Sequence, residues 1–88
     1  AVCTGAGASL LGEARRAQAD VYVTSDLKYN DFMTPDGAFV VADIGHFESE
    51  YCAIDILFDI LSKNLFTFVV RKSVNSRNPI GYIVPSKQ

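Results

Sequence analysis

Residues 34–37, Thr-Pro-Asp-Gly, stop the chain sharply, and the seven residues that follow, 38–44, are almost continuously apolar and β-branched. Pro presets one turn dihedral and Gly tolerates the left-handed region, so the tetrapeptide reads as a turn. The run after it reads as a strand covered on both faces, the pattern of strands with parallel neighbours. Parallel strands cannot be joined by a tight hairpin; each needs a crossover, and helices are the usual one. The rest of the chain alternates accordingly. Residues 1–3 are the stub of a strand, and 4–8 (Thr-Gly-Ala-Gly-Ala) are a turn dense in small residues. A helix is expected from Ser9, a plausible N-cap, to about Ala19, with Leu10, Leu11, Ala14 and Ala17 on one side. Residues 20–24 read as a strand, 28–33 as a short helix and 65–70 as a fourth strand.

The helix expected over 47–62 is unusual. Its polar positions Glu48, Asp55, Asp59 and Ser62 form one narrow stripe, while Phe47, Tyr51, Ile54, Leu57, Phe58 and Leu61 cover one face and Cys52, Ile56 and Ile60 spread onto the next. A surface helix shows a narrower apolar face. This one is expected to pack on its own sheet and on something else, which points to a homo-oligomer. Residues 71–88 form a Ser/Asn-rich tail with one apolar patch, 80–84, after Asn78-Pro79. The pattern predicts an α/β fold, three layers α/β/α around a mainly parallel or mixed sheet, in a single domain spanning 1–88.

Composition narrows the function. With 49% apolar and 20% charged residues the 88-residue chain has the balance of a folded domain. Net charge is −2 and the basic residues are scattered, which gives no support for nucleic-acid binding. Cys3 and Cys52 lie far apart in apolar surroundings and read as buried free thiols of a reducing compartment. The apolar run 51–61 is interrupted by Asp55 and Asp59 and is too short to cross a bilayer, and no signal-peptide pattern is visible; a cytoplasmic, membrane-free protein is expected. The chain begins at Ala1, already in a strand, so it is expected to be a segment of something longer.

Sheets of this kind place ligands at the carboxyl ends of their strands. The polar residues there are Gly5 and Gly7, Ser25 and Asp26, then Asp43, His46 and Glu50. His46 and Glu50 stand at i and i+4, where an imidazole nitrogen and a carboxylate can converge on one cation; equally, both suit a helix start as ordinary polar residues. Asp26 can be a third ligand, a partner orienting His46, or the cap of the short helix. Lys28 can neutralise an anionic substrate or simply be solvated. The Gly5–Gly7 turn can face an anion, yet lacks both the dinucleotide and the P-loop spacing, so a tight strand-to-helix turn is the simpler reading. With one histidine and no electropositive setting for either thiol, no nucleophile system is present.

Taken together, Val2-Cys3-Thr4-Gly5-Ala6-Gly7-Ala8-Ser9-Leu10, then 19–29 (Ala-Asp-Val-Tyr-Val-Thr-Ser-Asp-Leu-Lys-Tyr), then 43–50 (Asp-Ile-Gly-His-Phe-Glu-Ser-Glu), with Asn78-Pro79-Ile80 near the end, resemble the C-terminal part of the NIF-three-like (NGG-one-interacting factor three) proteins. Many members carry the description GTP cyclohydrolase 1 type 2 homologue. The resemblance implies a two-lobed three-layer α/β protein, assembled as a toroidal hexamer, with a pair of divalent metal ions per subunit (zinc, manganese or iron undetermined). It implies His46 and Glu50 as metal ligands, with the remaining ligands in an N-terminal half, and Asp26, Lys28 and Asp43 as pocket lining or supporting residues. Ser25 stands where the family usually has Gly, Asn30 where His is frequent and Ser49 where Thr is common. The implied activity is metal-dependent hydrolysis of a nucleotide or phosphoester, a small-molecule substrate, with this segment alone inactive. The alternative is an assembly or protein-interaction module in which metal is structural or incidental.

Overall fold

A computed structural model describes residues 1–86. Three strands, β1 (Val2–Ala6), β2 (Val21–Ser25) and β3 (Val40–Asp43), form one sheet in the order β1-β2-β3, with both pairings parallel. A 3-10 turn (Ala8–Leu10) leads into α1 (Leu11–Arg16); α2 (Tyr29–Met33) follows β2, and α3 (His46–Glu50) and α4 (Cys52–Asn64) follow β3. The chain is thus α/β with a parallel sheet, as the alternation of runs predicts.

The core is small: Leu11 and Ala14 of α1 pack on Tyr22 and Phe39, with Cys3, Ala19 and Val41 partly buried around them. Tyr22 and Val41 are register partners, so one face of the sheet carries α1. On that side Arg15 also donates to the carbonyls of Thr34 (2.9 Å) and Pro35 (3.0 Å), tying α1 to the turn before β3. Asp36 (φ 45°) and Gly37 (φ 80°) make that turn, as their residue types require.

Several boundaries differ from expectation. β1 extends through Ala6, because the small residues 4–6 form a bulge in the strand. Val2 pairs with Val23 and Ala6 with Ser25, so four steps on β1 match two on β2. Ser9 does not cap a helix; it lies inside the 3-10 turn, which Gly7 precedes without any side-chain cap. α1 stops at Arg16, and Gln18 turns the chain with φ 56°. The long helix divides at Tyr51. The Tyr51 amide still reaches Phe47 O (2.9 Å), but Ile54 takes Tyr51 O (3.3 Å), a tighter i→i+3 turn that resets the axis.

Residues 65–70 form no strand. A β-prone run becomes a strand only beside a free sheet edge, and the 13-residue α4, about 20 Å long, separates that run from the end of β3. Nor does α4 pack on the sheet: it has no buried residue, and its neighbours are α3 and the segment around Lys72. β3 is not covered on both faces either, since Val40 stays 60% exposed. The radius of gyration, 17.2 Å, therefore exceeds the roughly 12 Å expected of a compact chain this long. Cys3 is only partly buried and Cys52 is exposed at the start of α4, so neither is the buried thiol expected; both thiols are free. Residues 71–86 are tail without regular structure, and the last two tail residues lie outside the described range.

What holds the strand ends together is a buried polar network. Thr24 and Ser25 are fully buried, and both hydroxyls donate to Gly5 O, that of Thr24 at 3.2 Å. The Gly5 amide donates to Ser49 Oγ (2.8 Å), which itself donates to His46 O (2.8 Å). Tyr22 donates to Gly7 O (2.8 Å), and among the described residues no buried side-chain polar atom lacks a partner. Among the described residues Ser49 is the one α3 side chain hydrogen-bonded to the β1 bulge. Ser49→Ala leaves the buried Gly5 amide unpaired and should cost about 1–3 kcal/mol. A urea melt is expected to show that loss, with Ser49→Thr recovering most of it; equal midpoints for all three proteins would refute the latch.

Candidate functional site

The three βα corners converge on His46. Gly45 (φ 88°, ψ 139°) swings the chain from β3 into α3, an arrangement only glycine takes without strain, and His46 is the first residue of the helix. Asp43 stabilises that corner: its Oδ1 accepts from Gly45 N (3.0 Å) and its Oδ2 from Leu27 N (3.2 Å). One carboxylate thus braces the loop carrying Asp26 to the loop carrying His46. Asp26 itself is left-handed (φ 55°), a conformation more tolerable for Asp than for most side chains.

His46 uses both ring nitrogens. Nδ1 lies 2.6 Å from Asp26 Oδ2, and Nε2 lies 3.0 Å from Glu50 Oε2, one turn along α3. All three side chains are about half exposed. A neutral imidazole with its proton toward Asp26 turns the Nε2 lone pair on the Glu50 carboxylate, so two acceptors face each other. That pair needs a cation between or upon them, a proton or a metal ion. Without metal the proton takes the role: the Asp26 hydrogen bond, helped by the charges of Glu50 and Asp26, raises the His46 pKa above its ordinary 6.5.

Gly5 closes the other side. Its φ is 71°, and a Cβ there would collide with the Glu50 carboxylate and come within 3.2 Å of His46 Nε2. The Gly5–Gly7 corner is a tight turn rather than an anion cradle, because protein groups already use its amides: Ser49 takes that of Gly5, and Ser25 O that of Gly7 (3.4 Å).

Of the residues singled out in the sequence, His46, Glu50 and Asp26 come together and Asp43 supports them from behind. Asp26 lies on the Nδ1 side of the ring, away from Glu50, where a carboxylate orients the imidazole and fixes its tautomer. It caps no helix: the N-cap of α2 is Lys28, whose amide is taken by Asp31 Oδ2 (2.8 Å). The Lys28 side chain is exposed and makes no ion pair among the described residues. Among those residues no group of three or more His, Cys, Asp or Glu side chains is arranged to hold a metal ion; His46 and Glu50 offer two donors.

On their outer side His46 and Glu50 rim a cavity of about 340 Å³, walled by Phe47, Tyr51 and Ile54 and by tail residues including Pro79 and Ile80. Sequence reasoning missed that wall and what holds it. Asn78 Nδ2 and Tyr82 OH both donate to Glu48, at 2.9 and 2.5 Å. Contacts across 30 and 34 residues leave no local pattern to read. Ser49 was missed too, since a Ser inside a polar helix start looks solvated.

The raised pKa fixes a pH signature. Protonated His46 gains partners on folding, so the stability it contributes is present below about pH 6.5 and is lost as pH rises through the raised folded value. Asp26→Asn removes the largest cause of the shift. In an NMR titration the imidazole of the variant is expected to move back toward 6.5, and an unchanged midpoint would show that Asp26 does not hold the ring.

No helix among the described residues is long and apolar enough to cross a membrane. No curated protein and no solved structure matches the chain significantly. A family model does match residues 1–79, from β1 through the tail wall at Pro79. With that match spanning three strands, the Gly5 bulge, His46 and Glu50, the chain belongs to the Duf34/NIF3 (NGG1p interacting factor 3) family.

Proposed function

We propose that this chain is the metal-binding C-terminal segment of a metal-dependent hydrolase acting on a nucleotide or phosphoester. The observation that carries the reading is the approach of His46 Nε2 to Glu50 Oε2 at 3.0 Å, with Asp26 on the far nitrogen. Imidazole and carboxylate are the donor types divalent zinc, manganese or iron accept, and a carboxylate behind the histidine raises its basicity. The two donors fit a metal ion but do not complete its shell, in keeping with a centre of two ions per subunit whose other ligands lie outside this chain. When bound, such a pair supplies an activated water and stabilises developing charge on the leaving oxygen. The chain's own residues do the rest: Asp26 holds the ring, Asp43 holds the two loops in register, and Gly5, lacking a Cβ, keeps side-chain bulk away from both ligands. A cytoplasmic location belongs to the same proposal.

With two ligands and water completing the shell, the chain alone should hold zinc or manganese weakly, while the protein with its full ligand set holds two ions per subunit. His46→Ala and Glu50→Ala in that full-length protein are expected to lower metal content and hydrolysis together with the fold intact. Elemental analysis after dialysis, with a nucleotide and phosphodiester screen run with and without chelator, is the check. Unchanged metal content in both variants would return His46 and Glu50 to ordinary helix-start residues.

A second reading, an assembly or interaction module, has its own support. Along α4, Ile56, Leu57 and Ile60 are each more than half exposed, and Phe66, Phe68 and Val69 beyond it are more exposed still. So many large apolar side chains left open are more than a lone chain tolerates well, and a toroidal hexamer would cover them. Sedimentation should find the chain self-associating, with Leu57→Glu and Ile60→Glu together restoring a monomer; a clean monomer at high concentration would count against it. Hydrolysis that is lost with chelator favours the first reading, and none under any metal favours the second.

A further inference from the structure

The cavity beside His46 and Glu50 has a composition that selects its occupant. The rings of Phe47 and Tyr51, one helical turn apart, lie with centroids 4.9 Å apart and planes tilted by 34°, forming an apolar ledge. Ile54 extends the ledge, and Pro79 and Ile80 stand across from it. Among the described residues no Lys or Arg lines the space, whereas Glu50 stands at its rim. A phosphate or carboxylate pushed inside would lose its water and meet the Glu50 charge with no lining Lys or Arg to replace that water. An uncharged ring meets no such cost, and its polar edge can reach His46, Ser76 or Asn78. The volume, about 340 Å³, lies at the small end of ligand pockets, with room for one or two fused rings.

The far wall is a strap. Residues 76–80 reach the site because Glu48 accepts from Asn78 Nδ2 (2.9 Å) and Tyr82 OH (2.5 Å), and Asn78 Oδ1 accepts the Ile80 amide (3.0 Å), stiffening the turn at Pro79. Glu48 does not itself line the cavity. We propose that this cavity binds a flat, uncharged ring, and that Glu48 is the positioning residue whose carboxylate holds the tail wall against it. That the ring is part of the substrate rests on the function proposed above; the binding itself does not.

The experiment uses indole as the neutral probe and indole-3-carboxylate as its anionic counterpart, on chelator-treated protein followed by NMR. Indole is expected to shift the signals of Phe47, Tyr51, Ile54 and Ile80 saturably, with the carboxylate weaker by about tenfold. Glu48→Ala should weaken indole about fivefold by freeing the wall, and Tyr82→Phe should lie between. Tyr82 is exposed and outside the buried core cluster, so its variant reports even where Glu48→Ala fails to fold. Indole shifts confined to the apolar face of α4, equal binding of the two probes, or wild-type affinity in the folded Glu48 or Tyr82 variant would each overturn the proposal. Because metal is absent throughout, failure of the metal reading leaves this result standing, and metal content measured on the same proteins separates the two.

Discussion

The arrangement depends on how closely the β1 bulge approaches α3. Four residues of β1 cover the distance of two on β2, and the slack places Gly5 with its carbonyl under the hydroxyls of Thr24 and Ser25 and its amide on Ser49. Burying those groups without partners would cost several kcal/mol; paired, they become a rigid link between the strand ends and the helix carrying the site. The link works only without a side chain at residue 5. A Cβ there would meet the Glu50 carboxylate, and the left-handed backbone would add about 1–2 kcal/mol of strain. Gly7, with an ordinary negative φ, is constrained by space alone, since a Cβ would run into Thr24 and the Tyr22 hydroxyl. The packing that stabilises the sheet end and the geometry that brings His46 to Glu50 therefore have one cause.

Much of this was legible in the chain because it is local. The Thr-Pro-Asp-Gly turn, the β-branched runs and the absence of hairpin turns sufficed for a parallel α/β sheet, and the i, i+4 spacing of His46 and Glu50 sufficed to put both on one face. The failures share a different origin. Residues 65–70 have strand composition but no partner edge, and strand formation is a property of pairs. The apolar pattern of residues 38–44 anticipates cover on both faces, yet Val40 remains open, because periodicity states what a segment can bury and not what is present to bury it. The Glu48 contacts join segments more than two dozen residues apart, and no spacing rule reaches that far.

α3 shows how so short a helix is sustained. Five residues give too few internal hydrogen bonds to be stable in water, so tertiary contacts must fix it. Successive residues turn by about 100°, which sorts the side chains into four directions. His46 and Glu50 share one and form the site; Phe47 and Tyr51 share the next and form the apolar ledge. Glu48 stands alone on a third and fastens the tail, and Ser49 on the fourth fastens the sheet. A one-residue shift in register would exchange every one of these partners at once. The helix is thus held in a single rotational setting by contacts on all its sides. The pairing of His46 with Glu50, exposed and weak in isolation, gains its fixed geometry from the buried Ser49 bond beside it and from Asp26 behind the ring.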